Sequence, residues 1–102
     1  MHASLANAGT MTWRALDYGT AENDAGTRVS RVGYKLLAYE RGGRRIEIDV
    51  EEGADDLGIY ANSIRLWEPG DAAVSESERA AILQDIADAL RLLKVPFAVL
   101  WN

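Results

Sequence analysis

The sequence contains no cysteine and only one histidine, His2, among its 102 residues. Without cysteine the chain cannot form disulfides or thiolate metal sites, and it has no cysteine nucleophile. His2 lies in a small, polar opening segment, so histidine-based catalysis and metal binding have little material. No apolar run approaches the roughly 20 residues that a membrane span needs, and residues 1–10 lack the features of a secretory signal. We therefore expect a cytoplasmic protein that does not enter the membrane.

Basic residues are scarce as well. Eleven lysines and arginines stand against sixteen acidic residues, which gives a net charge of −5. Proteins that bind nucleic acid directly usually carry a basic excess, so this balance favours a basic protein as the partner. The length is sufficient for one core and one domain. We expect residues 1–10 to be disordered and residues 11–102 to form a single α+β domain.

The first third of the domain is predicted to be strands and loops. Residues 13–18 are apolar and aromatic and predict a first strand, whereas residues 20–26 are polar and predict a loop. Residues 27–39 predict one long strand that is broken by a bulge or bend near Gly33.

A hairpin is the clearest local signal. Gly42 and Gly43 supply the positive φ angles that a two-residue turn requires, so Arg41 is expected opposite Arg44. This register gives the hairpin one apolar face, made of Leu37, Tyr39, Ile46, Ile48 and Val50. The opposite face of the second strand is predominantly acidic and carries Arg45, Glu47, Asp49 and Glu51.

The second half predicts a strand, a helix and a last strand. Residues 57–67 resume as a strand, and Pro69 and Gly70 end it. Ser75 and Glu78 have the spacing of a capping box, so a helix begins at Glu76 and carries an apolar stripe. Residues 97–101 predict a well-covered terminal strand, with Trp67 and Trp101 in the core. The expected fold is a single antiparallel sheet of about five to six strands, with the helix packed on one face.

Catalytic and cofactor motifs are not recognisable. The acidic runs at residues 49–52 and 55–56 match no metal-ligand loop and are interpreted as a solvated edge and turn. No phosphate-binding glycine loop and no nucleophile motif occurs. We therefore predict no catalytic residue, no cofactor and no metal site.

The candidate binding surface combines apolar and acidic side chains. Tyr34, Leu36 and Ala38 fall opposite acidic positions of the hairpin, so they either lie under the N-terminal strand or form an apolar centre rimmed by carboxylates. An acidic face of the helix is a second candidate surface. The predicted partner-binding residues are Tyr34, Leu36, Glu47, Asp49, Glu51, Asp55, Asp56, Glu78, Asp85 and Asp88.

A series of motifs in the C-terminal half resembles a known family. An N-S-I-x-x-W-[DE]-P motif at residues 62–69 is followed by a short linker, an E-R-x-x-I-L-x-D-I-x-x-A-L helix at residues 78–90 and a final strand. Over roughly residues 34–101, this order and spacing resembles the immunity protein 74 family. The resemblance implies a cytoplasmic antidote that binds a cognate bacterial toxin domain delivered by contact-dependent growth inhibition or a related secretion system. Such toxins are commonly nucleases. The resemblance fixes no contact residues.

Two other functions are weighed against this one. The chain is alternatively a non-inhibitory interaction module or a small homodimer that pairs through an uncovered strand edge or an apolar patch. An enzyme ranks third, because no pair of nucleophile and base can be named in the sequence.

Overall fold

The computed structural model describes residues 12–101, so the predicted disordered segment 1–10 lies outside the described residues. One mostly antiparallel sheet and one long helix make an α+β fold. The strands are β1 (Trp13–Asp17), β2 (Thr20–Asn23), β3 (Arg28–Gly33), β4 (Leu36–Arg41), β5 (Arg44–Glu52), β6 (Leu57–Tyr60) and β7 (Phe97–Leu100). A short 3-10 helix (Ala61–Ser63) follows β6, and the long helix is α1 (Glu76–Leu92).

The strands are hydrogen-bonded in their order along the chain, from β1 at one edge to β7 at the other. Every neighbouring pair from β1 to β6 is antiparallel, whereas β7 runs parallel to β6. The parallel pair arises because α1 carries the chain back between β6 and β7, as a crossover between parallel strands requires. The predicted antiparallel sheet of about five to six strands is therefore corrected to a mixed sheet that has seven strands within residues 12–101.

Two hairpins account for the extra strands. The predicted polar loop at residues 20–26 contains β2, because the Asp17 carboxylate accepts the Gly19 N–H at 2.8 Å and turns the chain back along β1. The predicted long strand at residues 27–39 is two strands, β3 and β4, joined by an exposed turn at Tyr34. The bulge expected near Gly33 is present between Arg31 and Gly33, at the end of β3.

The hairpin between β4 and β5 agrees with its prediction. Gly42 and Gly43 have φ angles of 60° and 81°, and Arg41 pairs with Arg44. These angles strain a residue that carries a Cβ, so glycine fits this turn. We call the apolar side of the sheet the inner face and the opposite side the outer face. The inner face carries Val29, Leu37, Tyr39, Ile46 and Ile48, which are buried in one hydrophobic cluster with Ile82, Ile86 and Leu90 of α1.

Strand β6 is shorter than predicted. It ends at Tyr60, because the Ser63 hydroxyl donates to the Tyr60 carbonyl at 2.7 Å and accepts the Asp49 N–H at 2.9 Å, which favours the 3-10 turn. The chain then returns to the beginning of β5, where Glu68 and Arg45 exchange backbone hydrogen bonds of 2.8 Å.

The helix begins where the capping box predicts. The Ser75 hydroxyl accepts the Glu78 N–H at 3.1 Å, and the Glu78 carboxylate accepts the Ser75 N–H at 3.0 Å. Trp67 is buried, as expected. The predicted burial of Trp101 is wrong, since its side chain is 61% exposed. The reason is topological, because β7 is an edge strand and lacks a neighbour on one side.

Candidate protein-binding surface

A row of alternating charges crosses the outer face at one end of the sheet. Arg14 pairs with Glu22 at 3.1 Å, and Arg28 lies 3.5 Å from the same carboxylate. Further along the row, Arg45 lies 3.5 Å from Glu40. Opposite charges at directly paired strand positions stabilise each other. We call this row the charge ladder; its cross-strand members are Arg14, Glu22, Arg28, Glu40, Arg45 and Glu68.

Beside the charge ladder, the outer face of β5 carries an acidic surface. Strand β5 supplies its carboxylates, and Leu36 of β4 lies directly opposite Asp49. The segment after β6 forms its other wall, leaving a shallow groove of about 540 Å³ beside Asp49. We call this surface the acidic groove; it is lined by Tyr34, Lys35, Leu36, Glu47, Asp49, Val50, Glu51, Glu52, Tyr60, Asn62, Ser63, Arg65 and Glu68. All five residues that the sequence predicted on the sheet face are thus brought together.

Two alternatives were predicted for Tyr34, Leu36 and Ala38: cover by the N-terminal strand, or an apolar centre rimmed by carboxylates. The exposure of their side chains distinguishes these alternatives. Tyr34 is 69% exposed and lies in the turn between β3 and β4, so the N-terminal strand does not cover it. Leu36 is half-buried and borders the groove. Ala38 is buried between its strand partners Ser30 and Glu47. Tyr34 and Leu36 therefore form the apolar part of a surface that carboxylates surround, which is a typical arrangement for a protein interface.

Carboxylates in the acidic groove differ in their partners. Glu47 makes an ion pair of 3.1 Å with Arg45, and Glu52 makes a short one with Arg31. Within residues 12–101, no lysine or arginine makes an ion pair with Asp49, Glu51 or Glu68. These three carboxylates thus remain available to an external cation.

One hydrogen bond orders the floor of the groove. The Tyr60 hydroxyl donates to a Glu51 oxygen at 2.6 Å. This bond to a carboxylate is the main reason that the pKa of Tyr60 is raised above its ordinary value. Tyr60 was not among the predicted binding residues, although it lies in the strand predicted at residues 57–67, which follows the acidic strand directly in the sequence.

Glu68 was also missed, and no local signal could have revealed it. It reaches the groove because its backbone pairs with Arg45, 23 positions earlier in the chain. Such a contact depends on the path of the segment between β6 and α1, which is a non-local property.

Asp55 and Asp56 lie elsewhere. They are exposed in the turn between β5 and β6 and border a smaller depression, which includes Arg31 and Pro96 and shares Glu52 with the acidic groove. The structure therefore places Asp55 and Asp56 beside the acidic groove and not in its lining. They remain acidic positions on a neighbouring surface.

The predicted acidic face of the helix is committed to contacts within the chain. Glu78 belongs to the capping box, and its pKa is lowered, chiefly by the Ser75 backbone N–H. Asp85 accepts a hydrogen bond from the Tyr39 hydroxyl at 2.6 Å. Asp88 accepts one from Gln84 at 3.0 Å and lies 3.6 Å from Arg91. These contacts make the helix a weaker candidate surface than the acidic groove.

A cluster of arginines and aromatic rings closes the end of the core beside the helix N-terminus. The Arg44 guanidinium lies 4.3 Å from the centre of the Trp67 ring, and that of Arg41 lies 5.4 Å from it. The Trp67 indole nitrogen is buried without a hydrogen-bond partner of standard geometry, although its N–H also helps to lower the pKa of Glu78. The two arginines therefore cover Trp67 through cation–π contacts.

Within the described part of the chain, no group of three or more histidine, cysteine, aspartate or glutamate side chains could hold a metal ion. Among the same residues, no helix combines the length and the apolar character needed to cross a membrane. Comparisons with protein-family models, curated proteins and solved structures find no match for this chain. The resemblance to the immunity protein 74 family therefore rests on the motifs at residues 62–69 and 78–90 alone.

Proposed function

We propose that this chain is a cytoplasmic immunity protein that binds and neutralises a cognate bacterial toxin domain, a basic nuclease. The observation that carries the proposal is the acidic groove, where Asp49, Glu51 and Glu68, which make no ion pair within the described residues, share one surface with the apolar side chains of Tyr34 and Leu36. The toxin reaches its target cell by contact-dependent inhibition or a related secretion system, as the motif resemblance implies.

Charge balance supports a basic partner. The residues lining the groove include five carboxylates and two cationic side chains, Lys35 and Arg65. By contrast, two acids of the charge ladder, Glu22 and Glu40, make ion pairs with arginines from the same sheet. A nuclease needs a basic site to attract phosphate, so an acidic protein surface attracts the same site. Asp49 and Glu51 gain more from an external arginine than a carboxylate already paired within the chain.

Inhibition on this proposal needs no chemistry from the chain itself. Tyr34 and Leu36 provide the apolar contact area, while the carboxylates of Asp49 and Glu51 make ion pairs with basic side chains of the toxin. One immunity protein then covers one toxin active site and excludes the nucleic acid. The electrostatic part accelerates association and weakens with salt, because exposed charges are screened over about 8 Å at physiological ionic strength.

The first test is co-purification with the toxin domain encoded immediately beside this chain, followed by a nuclease assay of that domain. We expect a one-to-one complex and loss of nuclease activity. Binding that leaves the nuclease fully active would contradict inhibition.

The second test locates the surface with three single charge reversals, Asp49→Lys, Asp56→Lys and Asp88→Lys. Each alters the net charge by the same amount, so the comparison removes the general effect of charge. We expect Asp49→Lys to weaken toxin binding by about tenfold or more, which corresponds to about 1.4 kcal/mol, and the other two to have smaller effects. Equal losses in all three variants would mean that the acidic groove has no special role.

A further inference from the structure

The two edges of the sheet differ in how they are protected against further strand pairing. Strand β1 carries Arg14 and Asp17, and a bulge interrupts its register between Ala15 and Asp17. Charges and bulges on an edge strand discourage pairing with another chain. Strand β7 has neither, because residues 95–101 contain no charged side chain and its register with β6 is continuous.

Hydrogen-bond directions on β7 follow from its parallel pairing. The Leu57 N–H donates to the Pro96 carbonyl at 2.9 Å, so the backbone of Pro96 faces β6. The N–H and C=O groups of successive residues alternate in direction along a strand, so the backbone groups of Ala98 and Leu100 face β6 as well. The N–H and C=O groups of Phe97 and Val99 therefore face the open edge, and those of Trp101 continue the same alternation.

Side chains beside this edge are apolar and accessible. Val99 is 36% exposed and Trp101 is 61% exposed. Trp101 also borders a groove of about 480 Å³ on the α1 side, which is lined by Ala80 and Leu83 and by the polar side chains of Glu76, Arg79 and Gln84. An added strand would therefore find outward-facing backbone groups, together with the apolar side chains of Val99, Trp101 and Leu83 on the helix side.

We infer that β7 pairs antiparallel with β7 of a second copy of this chain, about a two-fold axis at Val99. This register matches the outward-facing backbone groups of the two copies, so each matched pair exchanges both its hydrogen bonds. It places Val99 opposite Val99 of the second copy and Phe97 opposite Trp101. No like charges meet in this arrangement, and the aromatic pairs lie on the helix side. A two-fold contact of this kind uses both β7 edges, so the only sheet edges left within the described residues of the two copies are the β1 strands, which charges and a bulge protect.

Sedimentation equilibrium of the purified chain, at concentrations up to about 1 mM, tests the dimer directly. We expect concentration-dependent dimerisation. The matched variants Val99→Lys and Leu16→Lys each place a lysine at a partly exposed aliphatic position on an edge strand. Val99→Lys should weaken dimerisation by about tenfold or more, and Leu16→Lys should leave it unchanged.

Val99→Pro provides a second variant, because it removes an N–H that faces the open edge and leaves the pairing with β6 intact. Amide hydrogen exchange supplies an internal control. The Val99 amide should become protected as the dimer forms, whereas the Ala98 amide, which faces β6, should be protected at every concentration. A chain that stays monomeric over the whole range, or a dimer that Val99→Lys and Val99→Pro leave intact, would overturn the inference. Neither variant alters the acidic groove, so toxin binding should be unchanged.

Discussion

Replacing Tyr39 by phenylalanine tests how the sheet and the helix are joined. The ring of Tyr39 is fully buried, and its hydroxyl donates to Asp85 at 2.6 Å. Phenylalanine keeps the ring and removes only the hydroxyl, so the apolar packing is retained. Hydrogen bonds to charged groups contribute about 1.5–3 kcal/mol. Because Asp85 is only half-buried, we expect a loss near the lower end, about 1.5 kcal/mol in the free energy of unfolding.

The assay is urea unfolding of the wild type and the variant, followed by far-UV circular dichroism. For a domain of this size, a loss of about 1.5 kcal/mol lowers the melting temperature by about 6–12 °C. The chain offers a matched control in Tyr60→Phe, which removes a hydroxyl that also donates to a carboxylate at 2.6 Å but lies at the surface. Tyr60→Phe should cost clearly less, because water replaces an exposed hydrogen bond.

Two results would refute this reasoning. If Tyr39→Phe cost less than about 0.5 kcal/mol, the bond to Asp85 would contribute no more than an ordinary surface contact. Equal losses in Tyr39→Phe and Tyr60→Phe would show that burial does not determine the strength of these bonds. A double-mutant cycle with Asp85→Asn then separates the pairwise energy from the cost of leaving the carboxylate without its donor.

Three further predictions concern pH, the helix start and the tryptophans. Burial raises the pKa of the Tyr39 hydroxyl above its ordinary value of 10.0, so the stabilisation that this hydroxyl provides is complete below pH 10 and is lost as the pH rises further. The difference in unfolding free energy between the wild type and Tyr39→Phe should therefore narrow above pH 10, and a difference that stays constant would contradict the prediction. Ser75→Ala should cost about 1 kcal/mol in urea unfolding because the capping box is lost, whereas Ser77→Ala should cost less; equal costs would contradict a specific cap. In the monomer, Trp67→Ala should lower the free energy of unfolding by about 3–5 kcal/mol and Trp101→Ala by less than about 0.5 kcal/mol, because Trp67 is buried and Trp101 is exposed. A larger loss for Trp101→Ala than for Trp67→Ala in thermal melts would contradict this assignment.

Local signals in the sequence were sufficient for several elements. Two consecutive glycines at positions 42 and 43 predicted the β4–β5 hairpin and its register, because few residues tolerate the positive φ angles of that turn. Ser75 and Glu78 predicted the helix start, since a capping box is complete within four residues. Alternation along β5 predicted which side of that strand is acidic and which is buried.

Weak or misleading local patterns explain the errors in the strands. Residues 20–23 are polar on average, yet Ala21 and Asn23 are buried. Asn23 tolerates burial because its side-chain oxygen accepts the N–H groups of Ala25 and Thr27, both at 3.0 Å. The polar composition of residues 20–26 did not distinguish a strand followed by a turn from a loop. Likewise, the apolar run at residues 97–101 predicted a covered strand, because the pattern is the same for a central strand and for an edge strand.

The sequence by itself determined the net negative charge, the hairpin at Gly42 and Gly43, the helix start and the acidic side of β5, because each depends on residues close together in the chain. Only the tertiary structure decided that Glu68 joins the acidic groove, that Asp85 is occupied by Tyr39 and that Trp101 lies beside an open edge. Those outcomes depend on strand order and on the path of the crossover helix, where contacts between distant residues outweigh local preference.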